Sequence, residues 1–288
     1  MCKEYCYGFT FIVIYSLESC ENARIKRMRF NQRIFCIINV RSSGVSKIFA
    51  IIATMDLHGK NVVITGAGGG IGRELIAHLS KEGANVYSIV RTHVDEISTP
   101  QYYADLSQKT DVMRVIDQIN IDLSHIDILI NLAGIGIYKS IQEVSIDEWD
   151  ESIATKVTAP FMLIKGLLQK LEQARGLVVN VGSGAGIGGQ AGRLLYCSSK
   201  FALRGLSLSL SQEFKEKYPR FCLLTLGSTL TSFGVGNVVT LEQKIERNKL
   251  GQRYFTVEWV VQKLISMLKD PQLEPEVVLF PAEYTVSN

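Results

Sequence analysis

The stretch YCSSK at 196–200 sets a tyrosine and a lysine four residues apart. On an α-helix those positions stack on one face, so the Lys200 ammonium can approach the Tyr196 phenol. A phenol with a pKa of about 10 is a poor base at neutral pH, but a neighbouring cation favours its phenolate. The pair could then exchange a proton with a substrate oxygen. Alone it is weak: the chain holds eleven Tyr, and a chance Tyr-x-x-x-Lys on a solvated helix would look the same. A second stretch, TGAGGGIG at 65–72, offers different chemistry. Its glycines allow a tight turn, a close approach of backbone to a pyrophosphate, and a helix N-terminus whose free N–H groups face phosphates. That reading requires a strand before the turn and a helix after it.

The flanking patterns supply both. NVVITG (61–66) is a short β-branched run, and Ile71, Leu75, Ile76 and Leu79 recur at helical spacing over 71–82. NVYSIV (85–90), IDILIN (126–131), GLVVNV (176–181), FCLLTL (221–226) and EVVLF (276–280) read as further strands. Helical patterns lie between them at 111–119, about 147–172, 195–217 and near 256–269, so YCSSK opens a long helix. Strands separated by helices predict right-handed crossovers and one α/β domain with a doubly wound parallel sheet of Rossmann type.

In that order the motifs resemble the short-chain dehydrogenase/reductase family over 55–288. Thr65, Gly66, Gly70 and Gly72 match its glycine pattern, with Ile71 inside it. ADLS supplies Asp105, which the resemblance places on the adenine amino group, beside Leu106. NLAG supplies Asn131, Ala133 and Gly134, with Leu132 departing from the usual second asparagine. VGSGAG puts Ser183 at the position of the catalytic serine, thirteen residues before Tyr196, and LGSTLT supplies Gly227 and Thr231 with Leu226 in place of a usual proline. The resemblance implies an NAD(P)-dependent oxidoreductase acting on a small carbonyl or alcohol without a metal. Tyr196 would move the proton, Lys200 would also hold the nicotinamide ribose, and Ser183 would bond the substrate oxygen. It further implies a homodimer or homotetramer built on the two long helices. Taken singly, Ser183 could be a loop hydroxyl, Asp105 a turn residue and Thr231 a helix cap.

Three departures shape finer expectations. Val90 stands where NAD-preferring members carry an acid and Arg91 follows it, so NADP is expected over NAD, with Arg91 on the 2′-phosphate or else merely at the surface. The interval from Arg91 to Asp105 is short for a crossover helix. Lys156 stands where the family usually has an asparagine whose backbone carbonyl holds a proton-relay water. Its side chain is expected to swing to solvent; the alternative turns it inward beside Lys200, where each cation favours the neutral form of the other. The substrate pocket is expected from Ile135–Tyr138, Gly184–Gln190 and a loop at about 228–253. GAGIGGQAG is apolar and suits an uncharged substrate, with Arg193 read as solvated. Two rival functions stand beside this one: a non-catalytic NADP(H)-binding redox sensor, and a nucleotide-sugar epimerase or dehydratase, which would need a longer C-terminal portion.

Composition excludes other classes. A content of 47% hydrophobic residues with six Pro is globular. Residues 1–54 hold 8 Lys/Arg against 3 Asp/Glu and 55–288 hold 23 against 25, so the body is no nucleic-acid binder on charge. FTFIVIYSL (9–17) is too short to span a membrane, and no partner membrane is expected. Residues 1–54 read as an appendage or a mis-assigned start, with the domain beginning near Met55. Four of the six Cys fall in that segment at irregular spacing, which predicts a reducing, cytoplasmic setting and no disulfide framework. The scattered His58, His78, His93 and His125 match no metal spacing.

Overall fold

The computed structural model describes residues 9–10, 23–30, 33–42, 45–52, 54–234, 240–251 and 254–280. The chain divides into two compact units, Met1–Leu57 with Ser266–Leu273, and His58–Ile265 with Glu274–Asn288. In the first, β1 (Phe9–Thr10) pairs antiparallel with β5 (Thr54–Met55). There β2 (Ala23–Phe30), β3 (Arg33–Ser42) and β4 (Val45–Ile52) form a three-stranded antiparallel sheet, elements that the sequence reading did not assign to 1–54.

The second unit carries a seven-stranded parallel sheet. Its members are β6 (Asn61–Thr65), β7 (Asn85–Val90), β8 (Gln101–Tyr103), β9 (Ile128–Asn131), β10 (Leu177–Val181), β11 (Arg220–Leu226) and β12 (Glu276–Leu279). Their order is β12-β11-β10-β9-β6-β7-β8, so the order reverses between β6 and β9. In open α/β sheets the crevice outside the strands' carboxyl ends at such a reversal is where ligands bind. The connecting helices include α1 (Gly70–Lys81), α2 (Lys109–Asp122), α3 (Ile146–Ile153), α4 (Ala159–Gln173) and α5 (Leu194–Glu213). On one face Val112, Val115 and Ile119 of α2 and Leu163, Leu167 and Leu171 of α4 pack on Val63, Leu129 and Val178. Alternation sends Val62, Ile64, Ile128 and Ile130 to the opposite face, where they are equally buried. The sheet is therefore covered on both sides.

Two features depart from the sequence reading, while the short Arg91–Asp105 interval holds no helix, as expected. The expected helix at 147–172 is broken: between α3 and α4, Ala154–Thr158 is a π-helical turn in which the Ala159 N–H reaches back to the Ala154 carbonyl. No helix joins β7 to β8; Gln101 instead ties the connection by donating to the Val94 and Ile97 carbonyls and accepting from the Val94 N–H. The expected loop at 228–253 contains α6 (Leu241–Lys249), started by a capping box between Thr240 and Gln243. The last helix, α7 (Val257–Leu268), matches its pattern. No helix among the described residues is long and apolar enough to cross a membrane.

Candidate active site

The glycine-rich turn leaves β6 at the sheet's reversal. Gly66 has φ +73°, and a Cβ there would lie 2.7 Å from the Ala133 nitrogen, so only glycine lets this turn lie against the chain leaving β9. Gly72 is tighter still, since a Cβ would meet the Gly66 carbonyl at 2.3 Å. Thr65 locks the two turns together: its Oγ1 accepts from the Leu132 and Ala133 N–H groups, each at 3.1 Å. Helix α1 then begins at Gly70 with Gly69 as N-cap and no side-chain cap, which leaves its first N–H groups for a ligand.

A cavity of about 590 Å³ opens over this turn. Gly66, Gly70, Ile71, Gly72, Arg91, Asp105, Leu106, Ala133, Gly134 and Thr231 all line it. Thr65 and Asn131 do not. Thr65 is turned to the β9 loop, and Asn131 is buried in the sheet, where its Nδ2 donates to Asn180 Oδ1 while Asn180 Nδ2 donates to Ser207. Their side chains build the site without facing it. Asp105 keeps one oxygen in its own turn, accepting from the Ser107 N–H and hydroxyl at 2.9 and 2.7 Å. Arg91 is exposed at the cavity wall after the buried, uncharged Val90. Room for backbone-to-phosphate contact, an uncapped helix start and a cation at the end of β7 fit a nicotinamide dinucleotide.

A second cavity of about 390 Å³ adjoins the first, sharing Ile71, Leu132, Gly134, Thr231 and Phe233 with it. Ser183, Tyr196, Lys200 and Gly227 line it. Ser183 sits at the end of β10, and Tyr196 and Lys200 on the first turns of α5, so the strand end and the helix start bring the three together. Of the expected pocket wall, Tyr138, Gly184, Ala185, Gln190 and, from the 228–253 segment, Ser228, Thr229, Lys244 and Arg247 line the cavity. Tyr196 is 9% exposed and edge-on to Tyr138 at 5.7 Å between centroids, with the Ser183 side chain near enough to lower its phenol's pKa.

The electrostatics differ from the expectation. Burial pushes the Tyr196 phenol up to about 12, against the Ser183 hydrogen bond, which pulls it down. Lys200 donates from Nζ to the Val181 carbonyl at 2.7 Å and lies 5.8 Å from the ring centroid. Burial also pushes Lys200 itself down to about 8. Lys156 does not swing to solvent. It lies in the π turn, 1% exposed, with Nζ donating to the Ile135 carbonyl at 3.0 Å and lying 5.3 Å from the Tyr196 centroid. Burial, and then the Lys200 charge, push its ammonium down to about 7. The widened helical turn and the free Ile135 carbonyl draw the stem inward, and neither is legible as a spacing of residues. Arg193 is not simply solvated either: half-buried, it covers the Tyr138 ring at 5.0 Å.

A model of the short chain dehydrogenase family matches residues 60–237. The chain belongs to that family. The 3-oxoacyl-[acyl-carrier-protein] reductase FabG of Haemophilus influenzae is 29% identical over 197 residues, 65% of this chain and 81% of that one. The meso-2,3-butanediol dehydrogenase of Serratia marcescens is 31% identical over 166 residues, 54% and 66%. A short chain dehydrogenase from Burkholderia cenocepacia, solved in complex with NADP, superposes with a TM-score of 0.68 at 22% identity, covering 78% of this chain and 97% of its own. That last likeness concerns the fold. Family and fold agree with the doubly wound sheet and with an NAD(P)-dependent oxidoreductase.

Proposed function

We propose that this short-chain dehydrogenase uses NADP in preference to NAD to interconvert a small carbonyl compound and its alcohol, with Tyr196 as the acid/base. The observation that carries this reading is the meeting of the Ser183 hydroxyl, the Tyr196 phenol and the Lys200 ammonium in a cavity that adjoins the glycine-rich turn. When bound, the nicotinamide supplies or accepts the hydride. Gly66, Gly70 and Gly72 with the start of α1 would hold the diphosphate, Arg91 the 2′-phosphate, and Asp105 and Leu106 the adenine end.

A phenol pushed up to about 12 keeps its proton at neutral pH and is competent as the acid for carbonyl reduction. A carbonyl carbon gains the hydride and its oxygen gains the Tyr196 proton, so the C=O bond becomes an alcohol and the phenol a phenolate. Ser183 holds that oxygen in place through its hydroxyl. Lys200 and Lys156, 5.8 and 5.3 Å from the ring centroid, stabilise the phenolate as it forms.

Positioned proton transfer contributes about 10²–10⁴-fold, so Tyr196→Phe should lower turnover by at least that factor while NADPH affinity stays within about twofold of wild type. Steady-state rates over a panel of carbonyls, with NADPH titrated by fluorescence, read both quantities. Near-normal turnover in the variant removes Tyr196 from the mechanism. An inert wild type that still binds NADPH favours the redox-sensor reading instead.

A further inference from the structure

The second cavity carries a charge pattern that hydride transfer does not require. Among the described residues, every charged side chain lining it is a cation: Lys200, Arg193, Lys244 and Arg247. Lys200 is accounted for by its place beneath Tyr196. The other three come from two segments, Arg193 from the residue capping α5, and Lys244 and Arg247 from neighbouring positions on one face of α6. None of the three forms a salt bridge with a carboxylate among the described residues. Lys244 donates to the Thr231 and Phe233 carbonyls at 2.8 and 2.7 Å, which fixes its ammonium at the cavity wall. Arg193 lies over the Tyr138 ring, which meets Tyr196 edge-on.

Cations gathered without an acid repel one another and favour each other's neutral form. The effect is visible in Lys244, whose ammonium is held below its ordinary value by burial and then by Arg193. The cofactor's phosphates do not explain the cluster. The glycine-rich turn, the start of α1 and Arg91 all face the first cavity, which neither Arg193, Lys244 nor Arg247 lines. The three cations belong to the side of the pocket left for the substrate, where Tyr138, Phe233 and Phe280 supply apolar walls between them and the reacting end.

We propose that the substrate of this chain carries an anionic group, a carboxylate or a phosphate ester, bound by Arg193, Lys244 and Arg247 while its carbonyl or alcohol carbon faces Tyr196. The placement of the reacting carbon rests on the oxidoreductase reading above; the capture of the anion does not. This replaces the uncharged substrate that the apolar GAGIGGQAG stretch suggested, because the charge comes from residues outside that stretch.

The test is calorimetric binding to the full chain saturated with NADP⁺. Pyruvate, acetoacetate and levulinate are each compared with the methyl ester, and dihydroxyacetone phosphate with dihydroxyacetone. At least one anion should bind about tenfold or more tightly than its neutral partner, because charge-assisted hydrogen bonds are roughly twice as strong as neutral ones. That preference should fall by about tenfold in the Arg193→Gln/Arg247→Gln double variant and weaken with added salt. A carboxylate preference and a phosphate preference each support the proposal and identify the group. It is overturned if no anion in either series outbinds its neutral partner, or if the preference survives the double variant. Turnover of the same compounds is scored separately. Anion preference without turnover of any compound fails the oxidoreductase reading alone, whereas neutral ketones turned over with kcat/KM equal to their anionic partners fail the anion proposal alone.

Discussion

Lys156→Met tests how much the buried ammonium costs the fold. The group ordinarily titrates at 10.5 and is pushed down to about 7 by burial and by Lys200. At ~1.4 kcal/mol per pH unit, that fall corresponds to about 5 kcal/mol of cost for holding the charge in the folded state. The unfolded chain binds this proton more tightly, so the folded state gains stability as pH rises from about 7 toward 10.5. Below that window both states carry the charge and the cost is complete; above it neither does and the cost is gone. Methionine removes the cost and gives up the hydrogen bond to the Ile135 carbonyl, which leaves a part-buried acceptor unmet at up to roughly 1–3 kcal/mol. The variant should therefore be more stable than wild type by roughly 2–4 kcal/mol at about pH 6, and less stable by roughly 1–3 kcal/mol above about pH 10. Urea unfolding of both chains at a series of pH values across that range measures the difference directly. A difference that does not change with pH would refute the reasoning, since only a proton bound unequally by the two states can make it vary.

Two further expectations concern the cofactor and the first segment. Arg91→Asp should weaken NADPH binding by about tenfold or more and leave NADH nearly unchanged, because it removes a charge-assisted contact to the 2′-phosphate and adds a repulsion; wild-type preference for NADH in steady-state kinetics would overturn the assignment. A chain starting at Met55 should fold and turn over like the full chain, because all seven strands of the parallel sheet lie in 61–279. Light scattering on both chains reads the dimer or tetramer that the family resemblance implies. Loss of solubility or activity in the shorter chain would show that 1–54 belongs to the working protein.

The residues with local signals were legible in the sequence. A β-branched run, three spaced glycines and a helical stripe place the turn at 65–72 because each is dictated by neighbours in the chain. The Tyr196–Lys200 spacing is local in the same sense, whereas Ser183 was singled out by the family resemblance. What was not legible depends on contacts between distant segments. The orientation of Lys156 follows from a π turn at 154–158 and a carbonyl at Ile135, twenty-one residues earlier. Thr65 and Asn131 carry motif positions, but whether such a side chain faces a ligand or a neighbouring strand is decided by the sheet pairing of β6 and β9. The cationic wall unites Arg193 with Lys244 and Arg247 across a strand and a loop, and no spacing announces it.

These features share one physical account. Two buried lysines flank a buried phenol, and three more cations stand farther along the same cavity, with no acid lining it among the described residues. In the resting protein such an arrangement is destabilising: burial lowers the Lys156 and Lys200 ammoniums, and the Lys200 charge lowers Lys156 further. On the proposed function and substrate it becomes favourable when negative charge enters, first with the anionic group and then on Tyr196 as its proton leaves. A site that is strained by its own charge before reaction and relieved during it stabilises the transition state more than the ground state. Lys156 is then the residue in which stability and activity oppose each other, and Lys156→Met should raise the first at neutral pH while lowering kcat.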